Sequence, residues 1–216
     1  GELMRRYWIP FLPVGKLDED PVQRIRLLGE DLTCYRDKSD NIGLIGNRCL
    51  HRAVDLRWGI PDKDGLRCPY HGWLYDASGQ CLEMPAESPE STFAERVKIR
   101  SHVVEELAGL IWAYIGPGPV PFLPRWGLLV VPHGFRMIGS SIVHGNWLQC
   151  QENSIDPVHF EWLHGAWLRE LQGSGPPHRR HLKVGFDEFE HGFRYRRVVE
   201  GNTEQDNDWS IGRTCL

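Results

Sequence analysis

Two short Cys-His pairs constrain the fold of this chain more than any other feature of its sequence. The first pair is Cys49-Leu50-His51, and the second is Cys68-Pro69-Tyr70-His71. Each pair offers one thiolate and one imidazole, and the sixteen residues from Arg52 to Arg67 separate the pairs. Four candidate metal ligands therefore come from two loops, and the fold has to bring these loops together.

The mixed composition of the pairs limits the kind of metal centre. A mononuclear zinc site also uses two Cys and two His, but its common spacing groups Cys with Cys and His with His. In a Rieske 2Fe-2S cluster, one iron takes both sulfurs and the other takes both imidazoles, so each loop supplies one ligand of each kind. The spacing therefore favours a 2Fe-2S cluster on Cys49, His51, Cys68 and His71. A zinc ribbon, or ordinary buried Cys and His residues, are the alternatives.

The residues around the pairs resemble a known signature. Cys49-Leu50-His51-Arg52, followed by Cys68-Pro69-Tyr70-His71-Gly72-Trp73-Leu74-Tyr75-Asp76, resembles the Rieske motif of aromatic-ring hydroxylating oxygenases. Leu50 stands where that family usually has proline. Neither loop has the additional Cys found in high-potential respiratory Rieske proteins, so a reduction potential toward the low end of the Rieske range is expected. We interpret Gly72 and Trp73 as residues of loop geometry and cluster shielding.

A second group of candidate ligands contains Asp156, His159 and His164. On a regular α-helix, residues five apart point about 140° away from each other. His159 and His164 therefore reach one ion only if the helix ends, widens or distorts between them, and Gly165 is a position that tolerates such a break. On its own, this pair does not identify a metal site. Asp156 followed by Pro157 also predicts a helix N-cap.

The run from Asp156 to His164 resembles the mononuclear iron segment of Rieske oxygenase large (alpha) subunits. The resemblance is greatest to the phthalate-dioxygenase-like group, which includes aryl ether demethylases, and it extends over nearly the whole chain. It implies that His159 and His164 bind non-haem Fe(II), and that an Asp on a later helix, beyond residue 216, completes the triad. Three acids of this chain lie in the predicted hairpin or in a charged turn and are not favoured as that ligand: Asp187, Asp206 and Asp208.

The resemblance also gives Asp156 a second role, as our candidate catalytic residue. There it hydrogen-bonds an imidazole of the mononuclear site and a cluster imidazole of a neighbouring subunit, for which His71 is the matching residue. Such an arrangement requires a head-to-tail ring, and a homotrimer is expected.

Turn signals and proline content divide the chain into two predicted domains. Residues 7–118 form an antiparallel β Rieske 2Fe-2S domain, whose clearest strands are Val22–Leu28 and Gly109–Ile115. The Pro-rich segment 116–121 resembles a linker, because its prolines lack hydrogen-bond donors. Residues 119–216 mix strands with one prominent helix, which predicts an α+β fold. The resemblance identifies them as the N-terminal part of a helix-grip catalytic domain.

The second domain carries three predicted elements. Residues 137–150 have a strand-like pattern, and residues 156–171 have a helical pattern with Asp156 as its N-cap. Residues 181–200 are expected to form a β-hairpin that turns at Glu190-His191-Gly192.

Charge and cysteine content exclude several classes of protein. The net charge of −4 lacks the cationic field that binds nucleic acid, and no stretch has the roughly 20 apolar residues of a membrane span. Neither nucleic acid nor a membrane is therefore an expected partner. Six Cys are too sparse for a disulfide scaffold and no signal peptide is evident, which indicates the cytoplasm. The Cys residues outside the pairs are expected to be buried small hydrophobes: Cys34, Cys81, Cys150 and Cys215.

These patterns lead to one favoured function. We expect a terminal oxygenase component in which a Rieske 2Fe-2S cluster and mononuclear Fe(II) activate O2 to hydroxylate, dihydroxylate or oxidatively demethylate an aromatic compound. A nucleotide-binding glycine motif is absent from the sequence, so NAD(P)H and flavin are expected on a partner reductase. A Rieske-type ferredoxin is the first alternative, although such a carrier has no use for residues 119–216. A truncated, inactive oxygenase fragment is the second alternative.

Overall fold

The computed structural model describes residues 2–174, 179–190 and 192–215. The chain forms two compact units, the first ending at Ser140 and the second beginning at Ser141. Each unit is described by itself. The domain boundary after residue 118 stays a prediction.

The first unit consists mainly of short antiparallel strands. Its strands are β1 (Ile9–Pro13), β2 (Val22–Leu27), β3 (Glu30–Arg36), β4 (Ile42–Gly46), β5 (Ile60–Asp62), β6 (Gly65–Arg67), β7 (Leu74–Tyr75), β8 (Cys81–Glu83), β9 (Ser101–Leu107) and β10 (Leu110–Tyr114). Its helices are short: α1 (Glu2–Arg5), α2 (Gly15–Glu19) and α3 (Gly127–Val130), with 3-10 turns at Leu56–Trp58 and Ala94–Arg96. The predicted antiparallel β structure is confirmed.

Six strands form the main sheet, in the order β1-β10-β9-β4-β3-β2. Tight turns join β2 to β3 and β9 to β10, and both central residues of each turn have positive φ: Leu28 (44°), Gly29 (85°), Ala108 (58°) and Gly109 (79°). Such paired left-handed residues form type I′ turns, which match the twist of a hairpin. The two strands predicted from sequence therefore pair with their immediate neighbours in the chain.

A smaller sheet carries the loop with Cys68, and the loop with Cys49 leads into it from the main sheet. It has the order β5-β6-β7-β8 and lies in sequence between β4 and β9. The loop with Cys49 follows β4, and the loop with Cys68 joins β6 to β7. Both cysteines belong to a buried core that also contains Leu56, Leu66 and Tyr75. The two loops therefore stand on a common apolar base.

The segment after β10 packs against the first unit. Leu123 lies in a buried cluster with Trp8, Trp112 and Tyr114. The indole Nε1 of Trp8 also donates a hydrogen bond to the Pro121 carbonyl at 2.9 Å. The chain beyond residue 118 is thus held against the main sheet as far as Leu129, which also packs against this cluster.

The second unit contains helices followed by a small sheet. Its elements are α4 (Trp147–Ile155), α5 (Val158–Glu161), a π-helix (Trp162–Trp167), α6 (Leu168–Gln172), β11 (His181–Phe189), β12 (Gly192–Val199), α7 (Asn207–Ser210) and β13 (Arg213–Cys215). β11, β12 and β13 form an antiparallel sheet, which confirms the predicted hairpin. His191, in the predicted turn, lies outside the described residues. Together the two units confirm the α+β class.

The strand predicted over 137–150 is wrong. Residues 137–146 are neither helix nor strand, and α4 begins at Trp147. Asn146 explains this start, because its side-chain oxygen accepts the Leu148 N–H at 2.9 Å and so satisfies a free donor of the first helical turn. The apolar pattern predicted a strand and missed this cap. In the described part of the chain, no helix has the length and apolarity needed to cross a membrane.

Candidate metal centres

The two Cys-His loops have the same backbone conformation. In each loop the Cys N–H donates to the carbonyl five residues later, and the N–H four residues later donates back to the Cys carbonyl, at 2.8–3.0 Å. The residue at this fourth position is left-handed in both loops, with φ of 55° at Ala53 and 77° at Gly72. A Cβ at Gly72 would come within 2.9 Å of Pro85 Cγ. Gly72 therefore serves loop geometry, as predicted.

The loops bring Cys beside Cys and His beside His. Cys49 and Cys68 are each only 3% exposed, and the Cys49 thiol lies close enough to Cys68 to contribute to the raised pKa of the Cys68 thiol. The ring centres of His51 and His71 are 4.5 Å apart. Two imidazoles that bind one ion through bonds of about 2.1 Å have ring centres roughly 4.5–5.5 Å apart. The donor set therefore fits a centre with two sulfurs on one side and two imidazoles on the other.

Burial favours the neutral form of both kinds of side chain at this site, which is the metal-binding form of the imidazole but not of the thiol. Partial burial lowers the pKa of His51, and His71 and Arg52 lower it further. Neutral imidazole is the form that binds a metal. The Nδ1 atom of His51 is buried and has no hydrogen-bond partner among the described residues. Burial raises the pKa of the Cys68 thiol, against the opposing effect of the Tyr70 N–H group.

Two aromatic side chains enclose the site. Trp73, only 9% exposed, stacks on His51 with ring centres 4.8 Å apart and an interplanar angle of 6°. Tyr75 is fully buried, its hydroxyl oxygen lies 3.4 Å from Cys49 Sγ, and it accepts the Leu50 N–H at 3.2 Å. Trp73 thus covers the imidazole side, as its interpretation as a shielding residue requires, and Tyr75 contacts the sulfur side.

The second candidate centre lies on a helix that changes its winding. α5 continues directly into the π-helix Trp162–Trp167, which contains His164 and Gly165. A π-turn closes its hydrogen bond five residues back, so it brings residues five apart closer to one face. The ring centres of His159 and His164 are accordingly 5.2 Å apart. The helix widens, which is one of the distortions that the spacing required.

Asp156 stands at the start of this helix. Its carboxylate accepts the N–H groups of Val158 at 2.8 Å and His159 at 3.3 Å, which confirms its capping function. The Val158 N–H in particular lowers the pKa of Asp156. Its Oδ2 also lies 3.4 Å from His159 Nδ1, longer than a well-formed hydrogen bond. Asp156 is therefore an anionic cap beside the first imidazole of the pair.

The acids that were not favoured as iron ligands have other partners. Asp187 pairs with Arg196, Asp208 lies 3.4 Å from Arg197, and Asp206 accepts the N–H and hydroxyl groups of Thr203. Within residues 2–174, 179–190 and 192–215, no group of three or more His, Cys, Asp or Glu side chains converges on one metal position. The candidate ligands of each centre instead come together two at a time, as Cys with Cys or as His with His.

Three cysteines outside the Cys-His loops are described and are free thiols: Cys34, Cys81 and Cys150. Cys34 and Cys81 are buried, and burial raises their pKa values to about 12 and about 11. Both fit the prediction of small hydrophobes. Cys150 is only partly buried, because it lies in the largely exposed α4, so the prediction is wrong there. The side chain of Cys215 lies outside the described residues.

Sequence reasoning did not single out Tyr75, Arg48 or Arg67, although all three contact the cluster loops. The arginines did leave a signal, because each candidate Cys ligand is directly preceded by Arg, as Arg48-Cys49 and Arg67-Cys68. Tyr75 left a signal as well, because it lies in the run from Cys68 to Asp76 that resembles the Rieske motif.

Comparisons with known proteins agree along the whole chain. Residues 7–102 match the family described as the Rieske [2Fe-2S] domain. The chain is 46% identical to the 5,5'-dehydrodivanillate O-demethylase oxygenase subunit of Sphingobium sp. (strain NBRC 103272 / SYK-6), over 100% of this chain and 52% of that protein. It is 33% identical to the phthalate 4,5-dioxygenase oxygenase subunit of Pseudomonas putida, over 93% of this chain and 49% of that protein. The chain therefore spans about half the length of these relatives.

A solved structure shows the same architecture. The structure of NdmA from Pseudomonas putida CBB5 with caffeine is 26% identical and has a TM-score of 0.71. The similarity covers 99% of this chain and 63% of that one. Similarity to these proteins thus includes the helix with His159 and His164 as well as the Cys-His loops.

Proposed function

Because this chain belongs to the phthalate-dioxygenase-like group of Rieske non-haem iron oxygenases, we propose that it acts as the terminal oxygenase component of a multicomponent system. Its substrate is an aromatic compound, which it hydroxylates, dihydroxylates or O-demethylates with O2. The observation that carries the proposal is the pairing of the loops, in which Cys49 lies beside Cys68 and His51 beside His71.

Each ligand pair has its own place in this proposal. Cys49 and Cys68 hold one iron of the cluster, and His51 and His71 hold the other. His159 and His164 hold the mononuclear Fe(II), with an Asp from a later part of the longer protein as the third ligand. When bound, the cluster supplies single electrons and the mononuclear iron activates O2.

Asp156 connects the two kinds of centre in this proposal. Its two backbone hydrogen bonds fix the carboxylate at the start of α5, next to His159 Nδ1. A carboxylate at this position orients the imidazole and leaves Nε2 for the metal. Its exposed side, with 46% of the side chain accessible, is available to the cluster His71 of a neighbouring copy in a homotrimer.

The ferredoxin alternative is disfavoured, because the similarity to oxygenase subunits extends over the second unit. An electron carrier has no use for the π-helix that brings His159 and His164 together. Electrons for the oxygenase come from NAD(P)H through a flavin-containing reductase, which is a separate protein.

Metal analysis and EPR of three variants test the proposal. Anaerobically purified protein is expected to contain iron and labile sulfide and, when reduced, to give the EPR signal of a His-ligated 2Fe-2S cluster. His71→Ala should abolish this signal, whereas His159→Ala should retain it and lose turnover of the aromatic substrate. Cys81→Ala, which changes another buried thiol of the same core, is the control and should retain both.

Two results would contradict the proposal. Zinc without iron or sulfide would exclude the cluster. Loss of the cluster signal in a folded His159→Ala protein would show that the two sites are not separate.

A further inference from the structure

An arginine directly precedes the Cys of each cluster loop, and its guanidinium donates back to the carbonyl of the left-handed residue in that loop. Arg67 Nη1 donates to the Gly72 carbonyl at 2.8 Å, and Arg48 Nη1 donates to the Ala53 carbonyl at 3.3 Å. We propose that Arg67 is a positioning residue that braces the His71 loop through Gly72. The proposal rests on the proposed function, because it takes Cys68 and His71 as cluster ligands.

Two carboxylates hold the Arg67 guanidinium in place. Its Nε atom donates to Asp62 Oδ2 at 2.8 Å, and its Nη2 atom donates to Glu83 Oε2 at 2.7 Å. Asp62 ends β5 and Glu83 ends β8, the two edge strands of the small sheet. The planar guanidinium is therefore held by a carboxylate on each side while it donates to the Gly72 carbonyl.

Arg48 offers a natural comparison, because it has the same place in the other loop without this support. It is exposed, and among the described residues it forms no ion pair. Its contact with Ala53 is also longer by 0.5 Å (3.3 against 2.8 Å). The two loops share a backbone, but only the loop with His71 has a rigid brace.

The chemistry of the side chain explains why Arg67 is suited to this function. Guanidinium presents its donors in a fixed plane, so Arg67 can serve two carboxylates and one carbonyl at the same time. A Lys ammonium at this position would keep the positive charge but would bind the two carboxylates, so the Gly72 carbonyl would lose its hydrogen bond. Gly72 directly follows His71, so a hydrogen bond to the Gly72 carbonyl restricts the backbone that carries the imidazole.

If Arg67 restricts the loop, it should slow the dissociation of His71 from the cluster. A loop that moves more often releases its exposed imidazole more often, and release of a ligand is a step in cluster loss. Cys68 is anchored independently, because its thiol is buried in the core. The brace should therefore affect His71 more than Cys68.

The test uses the cluster-loaded protein and three variants. Loss of the visible absorption of the cluster is measured in excess chelator, and EPR of the reduced cluster is measured before the chelator is added. Arg67→Met should lose its cluster about tenfold faster than wild type and show broadened EPR lines from the imidazole-bound iron. Arg67→Lys should behave like Arg67→Met. Arg48→Met, the matched control, should change the rate by less than about twofold.

Other results would overturn the brace. One such result is an Arg67→Met protein with the wild-type rate of cluster loss and the wild-type EPR spectrum. A second is an equal effect of Arg67→Met and Arg48→Met on that rate. A third is a wild-type rate in Arg67→Lys. If Arg67→Met does not fold, Glu83→Ala decides, because it keeps the bond from Arg67 to Gly72 and removes one acceptor that holds the guanidinium. A rate of cluster loss above wild type supports the brace, and an unchanged rate overturns it. Wild-type protein without a 2Fe-2S cluster would instead contradict the proposed function.

Discussion

The widened helix between His159 and His164 permits a test by deletion of single residues. A π-helix contains one residue more than the α-helical turn that it replaces. Deletion of any residue in Trp162–Trp167 should therefore restore regular α-helical winding. The position of the deletion decides what happens to the two imidazoles.

Deletion of Ala166 leaves His159 and His164 five positions apart. Since each α-helical residue turns by about 100°, the imidazoles would then point about 140° apart and could not share an ion. Deletion of Leu163 reduces the separation to four residues and the angle to about 40°, which keeps both on one face. The first deletion should remove the mononuclear iron, and the second should retain it.

Iron and sulfide analysis distinguishes the two outcomes. A fully loaded subunit of the longer protein, which supplies the third ligand of the mononuclear iron, should contain about three iron atoms and two labile sulfides, of which the cluster accounts for two irons. Deletion of Ala166 should reduce the iron to about two per chain without loss of sulfide. Deletion of Leu163 should leave the iron near three.

The two deletions control for each other. Both remove one residue before α6, so both rotate the helix beyond Trp167 by the same amount. Any general damage to this segment is therefore common to the pair. Equal iron content in the two variants, whether both keep or both lose the third iron, would refute the argument that the π-helix aligns the imidazoles.

Two further predictions concern hydrogen bonds at the candidate centres. Tyr75→Phe removes the hydroxyl that lies 3.4 Å from Cys49 Sγ and should lower the reduction potential of the cluster, because hydrogen bonds to sulfur stabilise the reduced form; an unchanged potential in redox titration would contradict this. Asp156→Ala should destabilise the protein by about 1 kcal/mol, whereas Asp156→Asn keeps the cap and should retain the melting temperature but slow single-turnover electron transfer to the mononuclear iron. A wild-type transfer rate in fully metallated Asp156→Asn would leave Asp156 a helix cap only.

The antiparallel first unit was predictable because its signals are local. Turn residues separate the strands, and pairs such as Leu28-Gly29 adopt the left-handed conformations that close a hairpin. The ligand pattern was equally readable, since each loop had to supply one Cys and one His. What the pattern could not supply was the contact between loops, which depends on the shared core under Cys49 and Cys68.

The second unit shows why apolar patterns alone are insufficient. Residues 137–150 contain enough apolar side chains for a strand, but a strand also needs a partner for its backbone groups. The Asn146 cap gives residues 147–155 intrahelical partners instead. Conversely, the spacing of His159 and His164 did predict a distortion, because two ligands five residues apart are incompatible with regular winding.

Leu50 shows how a departure from the family pattern acquires a physical meaning. The resemblance puts proline at this position, and proline has no backbone N–H. Leu50 has one, and it donates to the Tyr75 hydroxyl oxygen. A metal-bound Cys49 would be a thiolate that can only accept, so the Tyr75 hydroxyl would donate its proton to the sulfur while its oxygen accepts the Leu50 N–H. The substitution therefore leaves the ligand set unchanged and adds a backbone donor to the hydroxyl that contacts the Cys49 sulfur.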